Sequence, residues 1–353
     1  MIEKLKTLTG LLGPSGFEHE VSYYLEEYLK SRTDHVEIDP IGNVIARKKG
    51  TDPGPVVLLT AHIDEVGFIV KKIESNGLIR FEKVGGNDDR NLIAQPVKLL
   101  GEHSHINGVI GTLSAHFSKF DDPSMVRKHN QLYIDVGAQS KEEAEKMGID
   151  IGTAVAWGSE FLVFGPEHSP RVRAKSLDDR AGCAVLLQVL EELENESFAG
   201  ELVLLFAVQE EVGLRGAKTA AEHIKADAGI AIDTTPTSDT LETTMDQTLS
   251  LGNGAGIKVM DGSLIVHKTM KQALVTLAKQ KEIPYQLEVF TGIGTDGGAV
   301  NYANKGIPTG VLSIPSRYTH SSIEIVDLGD VVATKDIVKE FILSLDESST
   351  FKF

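Results

Sequence analysis

Pro53-Gly54-Pro55-Val56-Val57-Leu58-Leu59-Thr60 is the stretch on which the fold turns. The run from Val56 to Thr60 shows no polar alternation, the pattern of a strand covered on both faces, and its Pro/Gly lead-in is loop chemistry. Strands of this kind belong to α/β sheets with helices on either side. Upstream, Val21, Tyr24, Leu25, Tyr28 and Leu29 recur at helical spacing, and Ser15-Gly16-Phe17-Glu18 has the form of a capping box. Val36 to Ile38 and Asn43 to Ala46 read as short strands, with Gly42-Asn43 as turn chemistry between them.

Downstream of Phe68 the texture changes. Gly77 to Val84, Pro96 to Leu100, Ile106 to Leu113, Leu132 to Val136 and Ala154 to Phe164 are short strand-like runs broken by Gly, Asn and Asp. One helix interrupts them at Lys141 to Met147, with Ser140 and Glu143 as its capping box. This spacing predicts a small β-barrel or sandwich. After Pro170 the α/β pattern returns. Helices are expected near Arg180 to Leu193, Ala217 to Lys225, Thr269 to Lys281 and Lys335 to Leu345. Strands are expected at Leu202 to Val208, Gly229 to Ile232, Gln286 to Phe290 and Ile307 to Ile314. The economical division is one α/β domain, 1–67 and 166–353, carrying a β-rich insertion at 68–165.

Composition narrows the function. The 353 residues are 41% hydrophobic and 24% charged, with 35 Lys and Arg against 51 Asp and Glu, a formal net charge of −16. That balance argues against nucleic acid or an anionic membrane as partner. No apolar run reaches the length of a membrane span, and Met1 to Lys6 opens a charged amphipathic segment rather than a signal peptide. The one cysteine, Cys183, excludes an internal disulfide framework and a Cys-rich zinc site, and is expected to be packed. A soluble, cytoplasmic enzyme fits these limits.

Potential metal ligands follow the apolar strands directly. His62 and Asp64 come after Val56 to Thr60, Glu210 and Glu211 after Leu202 to Val208, and Asp233 after Gly229 to Ile232. Asp178-Asp179 stands where the insertion rejoins the α/β pattern, and His320 follows the strand ending at Ile314. Open α/β sheets bind ligands beyond the carboxyl ends of their strands. Two histidines and several carboxylates without thiolate suit zinc, cobalt or manganese. Taken singly, each piece has a plainer reading: a surface His-x-Asp pair, acids at a helix N-terminus, a solvated Glu-Glu loop, an N-cap. The joint pattern favours a metal centre.

Ala61-His62-Ile63-Asp64-Glu65-Val66-Gly67-Phe68, Lys175 to Gly182, Val208-Gln209-Glu210-Glu211-Val212-Gly213, Ile232-Asp233 and Arg317-Tyr318-Thr319-His320-Ser321 together resemble the motif series of the M42 metallo-aminopeptidases. That family includes the glutamyl and deblocking aminopeptidases and the TET peptidases. The resemblance spans essentially the whole chain. It implies a central mixed sheet flanked by helices, of the zinc-peptidase type, with an inserted small β-barrel. It further implies removal of N-terminal residues from short peptides, two divalent metal ions per subunit (zinc or cobalt first, manganese also) and self-assembly into a tetrahedral homododecamer through the insertion.

Carried onto this sequence, the resemblance makes Asp178 the bridge between two ions. His62 and Asp233 would complete one site, Glu211 and His320 the other. Glu210 would be the general base and acid, and Asp64 the carboxylate that orients His62. A cis peptide would join Asp178 to Asp179. The glycine-rich loop Gly292 to Gly298 lacks a P-loop lysine and would border the active site instead.

Rival readings are a metal amidohydrolase or deacylase, a glucanase, as some relatives are labelled, and a non-catalytic assembly protein. One tryptophan and 6% aromatics are thin material for sugar binding. His103, His105, His116 and His129 form no compact ligand set. Tyr318 reads equally as a pocket or a core residue, and Arg317 is near His320 only in sequence. The preferred N-terminal residue is not legible.

Overall fold

The computed structural model describes residues 1–122, 124–242 and 248–351. Its centre is an eleven-stranded mixed sheet. Four strands run parallel through the middle, in the order Ala199–Ala207, Asp52–His62, Ala228–Pro236 and Thr309–Arg317. The antiparallel strands Val44–Lys49 and His35–Ile38 extend one side. Glu324–Asp327, Arg171–Ala174 and Leu162–Phe164 extend the other, while Ala255–Met260 and Tyr285–Val289 branch from Thr309–Arg317.

Alternation along the central strands explains why both faces are dry. Val57, Leu59 and Ala61 join Leu202, Leu204 and Phe206 in a core roofed by the helices Ile2–Gly10, His19–Leu29, Leu177–Glu192 and Leu328–Leu343. Leu58, Val203, Leu205 and Ala207 point the opposite way. They meet a thinner layer of Ala217, Ala220 and Ala221 from the helix Arg215–Ala221, and Ala299 and Val300 from the helix Asp296–Tyr302. Small residues on these short helices let their backbones approach the sheet closely.

The second body is a closed barrel of six strands: Gly67–Ile73, Ile79–Val84, Ile134–Asp135, His105–Ile110, Pro96–Leu100 and Ala154–Trp157. Closure removes the exposed edges that an open sheet of this size would carry. Phe68 packs its ring edgewise against Phe81 at 5.1 Å and Trp157 at 4.9 Å, and all three are buried. The sequence's one tryptophan is therefore core. The helix Lys141–Lys146 carries the expected cap, with Ser140 Oγ accepting from the Glu143 N–H at 3.2 Å.

Some expectations change. Ala154 to Phe164 is not one strand: Ala154–Trp157 closes the barrel and Leu162–Phe164 pairs with Arg171–Ala174 on the large sheet. Ser15 does not cap the following helix; its hydroxyl donates to Asp64 Oδ2 at 2.6 Å, and Glu18 accepts from Gly16 and Gln209. The closing helix begins at Leu328 rather than Lys335, capped by Asp327, whose carboxylate accepts from Gly329 N–H. Among the described residues, no helix is long and apolar enough to cross a membrane.

Candidate metal centre

Parallel strands end at the same edge of a sheet, and that geometry gathers the site. His62 is the last residue of its strand and pairs in register with Ala207, so the Glu210-Glu211 turn emerges beside it. Asp233 lies near the end of the next strand, opposite Ser313 of the strand that leads into His320. Asp178 arrives from the start of the helix Leu177–Glu192, where Asp178 and Asp179 are not in helical conformation and the peptide between them is cis.

Asp178 stands between the two histidines. Its Oδ1 is 3.2 Å from His62 Nε2, and its Oδ2 is 3.4 Å from His320 Nε2. His62 Nε2 also lies 3.8 Å from Asp233, and His320 Nε2 lies 3.1 Å from Glu211. The other ring nitrogens are held from behind. His320 Nδ1 faces the Gly86 carbonyl at 2.7 Å, and His62 Nδ1 faces the Asp64 carbonyl at 3.2 Å. A carbonyl only accepts, so each Nδ1 carries the hydrogen and each Nε2 is aimed into the cluster.

Asp64 is fully buried and ties the site together. Its carboxylate accepts from the backbone N–H groups of Glu210 at 2.9 Å and Glu211 at 3.2 Å, and from the Ser15 hydroxyl. Burial opposes its charge, but His62 and these donors outweigh that and hold its carboxyl below the usual range. Beneath this layer, Lys175 pairs with Glu65 at 2.8 Å, while Arg180 donates to the carbonyls of Ile63 at 2.7 Å and Leu8 at 2.6 Å.

The two adjacent glutamates differ in surroundings. Glu211 pairs with His320. Glu210 lines the cavity, and its carboxylate accepts no hydrogen bond from the described residues. Burial, with the neighbouring Asp233, Asp296 and Glu211 carboxylates, pushes its carboxyl well above the ordinary value. Burial likewise raises Asp233 to about 6, whereas contact with Asp178 and Glu211 overcomes the effect of burial and lifts His320 to about 12.

Asp178, Asp179, Glu210, Glu211 and Asp233 thus crowd around two imidazoles, and among the described residues no Lys or Arg pairs with any of them. Buried carboxylates at this density need additional positive charge. His62, Asp178 and Glu211 offer ligand atoms all within 4.8 Å of one another, as do His62, Asp179 and Asp233. The donor set fits a pair of divalent ions. Asp179 belongs to the second group, but its oxygens also accept from the His62 N–H at 3.3 Å and the Gly182 N–H at 2.9 Å, so Asp178 is the freer of the two.

Residues 42–337 match the family model described as M42 glutamyl aminopeptidase. The chain belongs to the M42 family. It is 40% identical over 331 residues to a putative aminopeptidase of Acetivibrio thermocellus, covering 94% of this chain and 95% of the relative. Among solved structures it resembles the aminopeptidase APDkam598 from Desulfurococcus kamchatkensis, at 38% identity and a TM-score of 0.91 over 98% of this chain and 95% of that one. It also resembles the Pyrococcus horikoshii TET1 peptidase, which can assemble into a tetrahedron or a large octahedral shell, at 31% identity and a TM-score of 0.86 over 98% and 99% of the two chains.

Four residues of this M42 site escape a reading of the sequence. Glu324 is buried and accepts from the Asp178 N–H through one oxygen at 3.0 Å and from the His320 N–H through the other at 2.8 Å. An acid within Ile323-Glu324-Ile325-Val326, where a strand calls for apolar residues, was the available signal. Gly86 reaches in from the barrel, and a Cβ there would lie 3.0 Å from His320 Nδ1. Ser15 braces Asp64. Asp296 is buried with neither oxygen bonded among the described residues; burial and the Asp233 and Asp64 carboxylates raise it to about 8. Of the residues left open, Tyr318 is half exposed and outside the cavity wall, and Arg317 forks onto Asp239 at 2.8 and 2.7 Å. Cys183 is buried and free.

Proposed function

We propose that the cavity beside this cluster cleaves N-terminal residues from short peptides, with His62, Asp233 and Asp178 holding one divalent ion and Glu211, His320 and Asp178 the other. Bound there, two such ions would supply Lewis acidity that acidifies water and polarises a peptide carbonyl. The chain supplies the proton chemistry. Glu210, unpartnered among the described residues and facing the cavity, takes one from the attacking water on a carboxylate oxygen and returns it to the departing amine. Asp64 holds the Glu210 and Glu211 backbones at fixed spacing and orients His62, so that Glu210 moves protons while Glu211 stays with His320. The observation that carries this reading is the unpartnered Glu210 carboxylate facing the cavity next to the His–carboxylate cluster.

Zinc or cobalt is the proposed occupant, with manganese third, because the donors are imidazole and carboxylate without thiolate. The segment 68–165 is the proposed assembly module, building a tetrahedral dodecamer, a reading supported by the likeness to the Pyrococcus horikoshii peptidase. A cytoplasmic setting fits the acidic surface and the single, buried cysteine. The glucanase alternative lacks material: no aromatic residue lines the cavity among the described residues, and Trp157 is in the barrel core.

Glu210→Gln is the direct test. Metal content measured on the purified variant should equal that of the parent, while turnover of an amino-acid anilide falls at least about 100-fold. Stoichiometric loss of metal in the variant would assign Glu210 to the ligands and overturn the division between the two glutamates.

A further inference from the structure

The uncharged part of the cavity wall bears on which substrate side chain fits. The cavity has a volume of about 510 Å³. Among the described residues, every ionisable residue lining it belongs to the cluster above: His62, Asp178, Glu210, Glu211, Asp233 and His320. The remainder is uncharged, built from Leu214, Thr234, Pro236, Ile293 and Thr319 with glycines between them. The loop carrying Ile293 is held close by its neighbours. A Cβ on Gly292 would lie 2.6 Å from the Phe290 ring, and one on Gly294 would lie 3.2 Å from Ser263.

Among the described residues, no lysine or arginine lines this cavity. Lys218 donates to the Gly213 carbonyl at 2.9 Å, and Arg215 contacts Gln209 at 3.4 Å. Lys258 is fully buried against Glu288 at 3.0 Å, and Arg317 is forked onto Asp239. None of the four lines the cavity. Asp296, a nearby carboxylate without a hydrogen-bond partner among the described residues, is buried and does not line it either.

We infer that this pocket selects a neutral, apolar N-terminal side chain of leucine or methionine size, and discriminates against acidic and basic ones. The inference rests on the aminopeptidase reading above. An acidic side chain would lose water and meet no lysine or arginine on the wall. A lysine would meet no carboxylate outside that cluster. A leucine side chain would bury its surface on Leu214, Pro236 and Ile293, and the glycines leave room for its branch. Alanine would bury less and gain less.

The test uses full-length protein reloaded with zinc or cobalt and the 4-nitroanilides of Leu, Met, Ala, Glu and Lys. The expected kcat/KM for Leu or Met exceeds that for Glu and Lys by at least about 10-fold. Ile293→Lys places a cation on the wall and should move the Glu-to-Leu ratio by about 10-fold or more toward Glu. Glu or Lys turned over as fast as Leu overturns the selectivity and leaves the aminopeptidase standing. An unchanged ratio in Ile293→Lys overturns the assignment of this wall to the side chain. Silence on all five substrates in protein shown to hold two ions overturns the aminopeptidase reading itself.

Discussion

At the residue scale, the site depends on groups that never face the substrate. Glu324 gives one oxygen to the Asp178 N–H and the other to the His320 N–H, so a single carboxylate fixes two segments that are 142 residues apart, from Asp178 to His320. His320 holds a positive φ of 62°, a conformation that non-glycine residues keep only when their surroundings impose it. Glu324→Gln keeps the shape but turns an amide NH₂ toward one of the two N–H donors. It should lower metal affinity about 10- to 100-fold, read by competition with a chromophoric chelator. Affinity equal to the parent's would show that the clamp does not position the ligands. Gly86→Ala makes a related point from the barrel side, since its Cβ would press on the His320 ring.

Much of this layer was hidden in the sequence for a physical reason. His62, Glu210, Glu211, Asp233 and His320 stand out because they end or follow apolar strands, and Asp178 because it stands where the insertion rejoins the α/β pattern; the structure brings all six to one cavity. Glu324, Gly86 and Ser15 act through contacts between distant segments, and such contacts leave no periodic signature. Ser15 illustrates the cost of local reasoning. A Ser-x-x-Glu pattern before a helix suggests capping, yet its hydroxyl is taken by Asp64, 49 residues away.

At the element scale, the long apolar strands and helices were legible because their burial repeats. Val56 to Thr60 lies within the strand Asp52–His62, and the helix Leu177–Glu192 follows the Ala184, Leu187 and Leu190 spacing. The strands Ala255–Met260 and Glu324–Asp327 and the helix Asp296–Tyr302 were not. The first carries Lys258 and the second Glu324, charged residues buried by tertiary partners, and the helix starts inside a glycine-rich stretch that reads as loop. Leu59→Ala, at a site with 0% exposure in the central strand, should destabilise the fold by about 2–5 kcal/mol, seen as a lowered unfolding midpoint.

The strand Thr309–Arg317 ends in a pair with a defined pH dependence. Burial works against the charge of Asp239, but the Arg317 fork and the Leu251 N–H overcome it and hold the carboxyl down at about 2. A depressed folded-state value stabilises above the ordinary carboxylate range near pH 4 and loses that contribution as pH falls through about 2. The pair retains some exposure, so its worth is about 1 kcal/mol. Asp239→Asn should therefore lower the unfolding midpoint at pH 7 and converge on the parent near pH 2. A constant difference across that range would contradict the linkage.

At the scale of the whole molecule, barrel and sheet meet at the His–carboxylate cluster. The Gly86 carbonyl of the loop after Ile79–Val84 faces His320 Nδ1, so a segment of the barrel holds a histidine of the cluster on the sheet. The buried carboxylates gathered there repel one another when no cation balances them. Stripping metal should lower the thermal midpoint by several degrees, and zinc should restore it in proportion to occupancy. Sedimentation of the intact protein addresses the proposed dodecamer, and a fully active monomer would rule out assembly as a requirement.

In the proposed reaction, metal held by this cluster drives hydrolysis at a free N-terminus. Its most direct test is release of leucine from Leu-Gly-Gly and from the N-acetylated peptide, by stripped protein before and after zinc or cobalt. The expected result is silence without metal, turnover of the free peptide on reloading, and none of the acetylated one. Hydrolysis that survives chelation, or equal cleavage of the acetylated peptide, would contradict it.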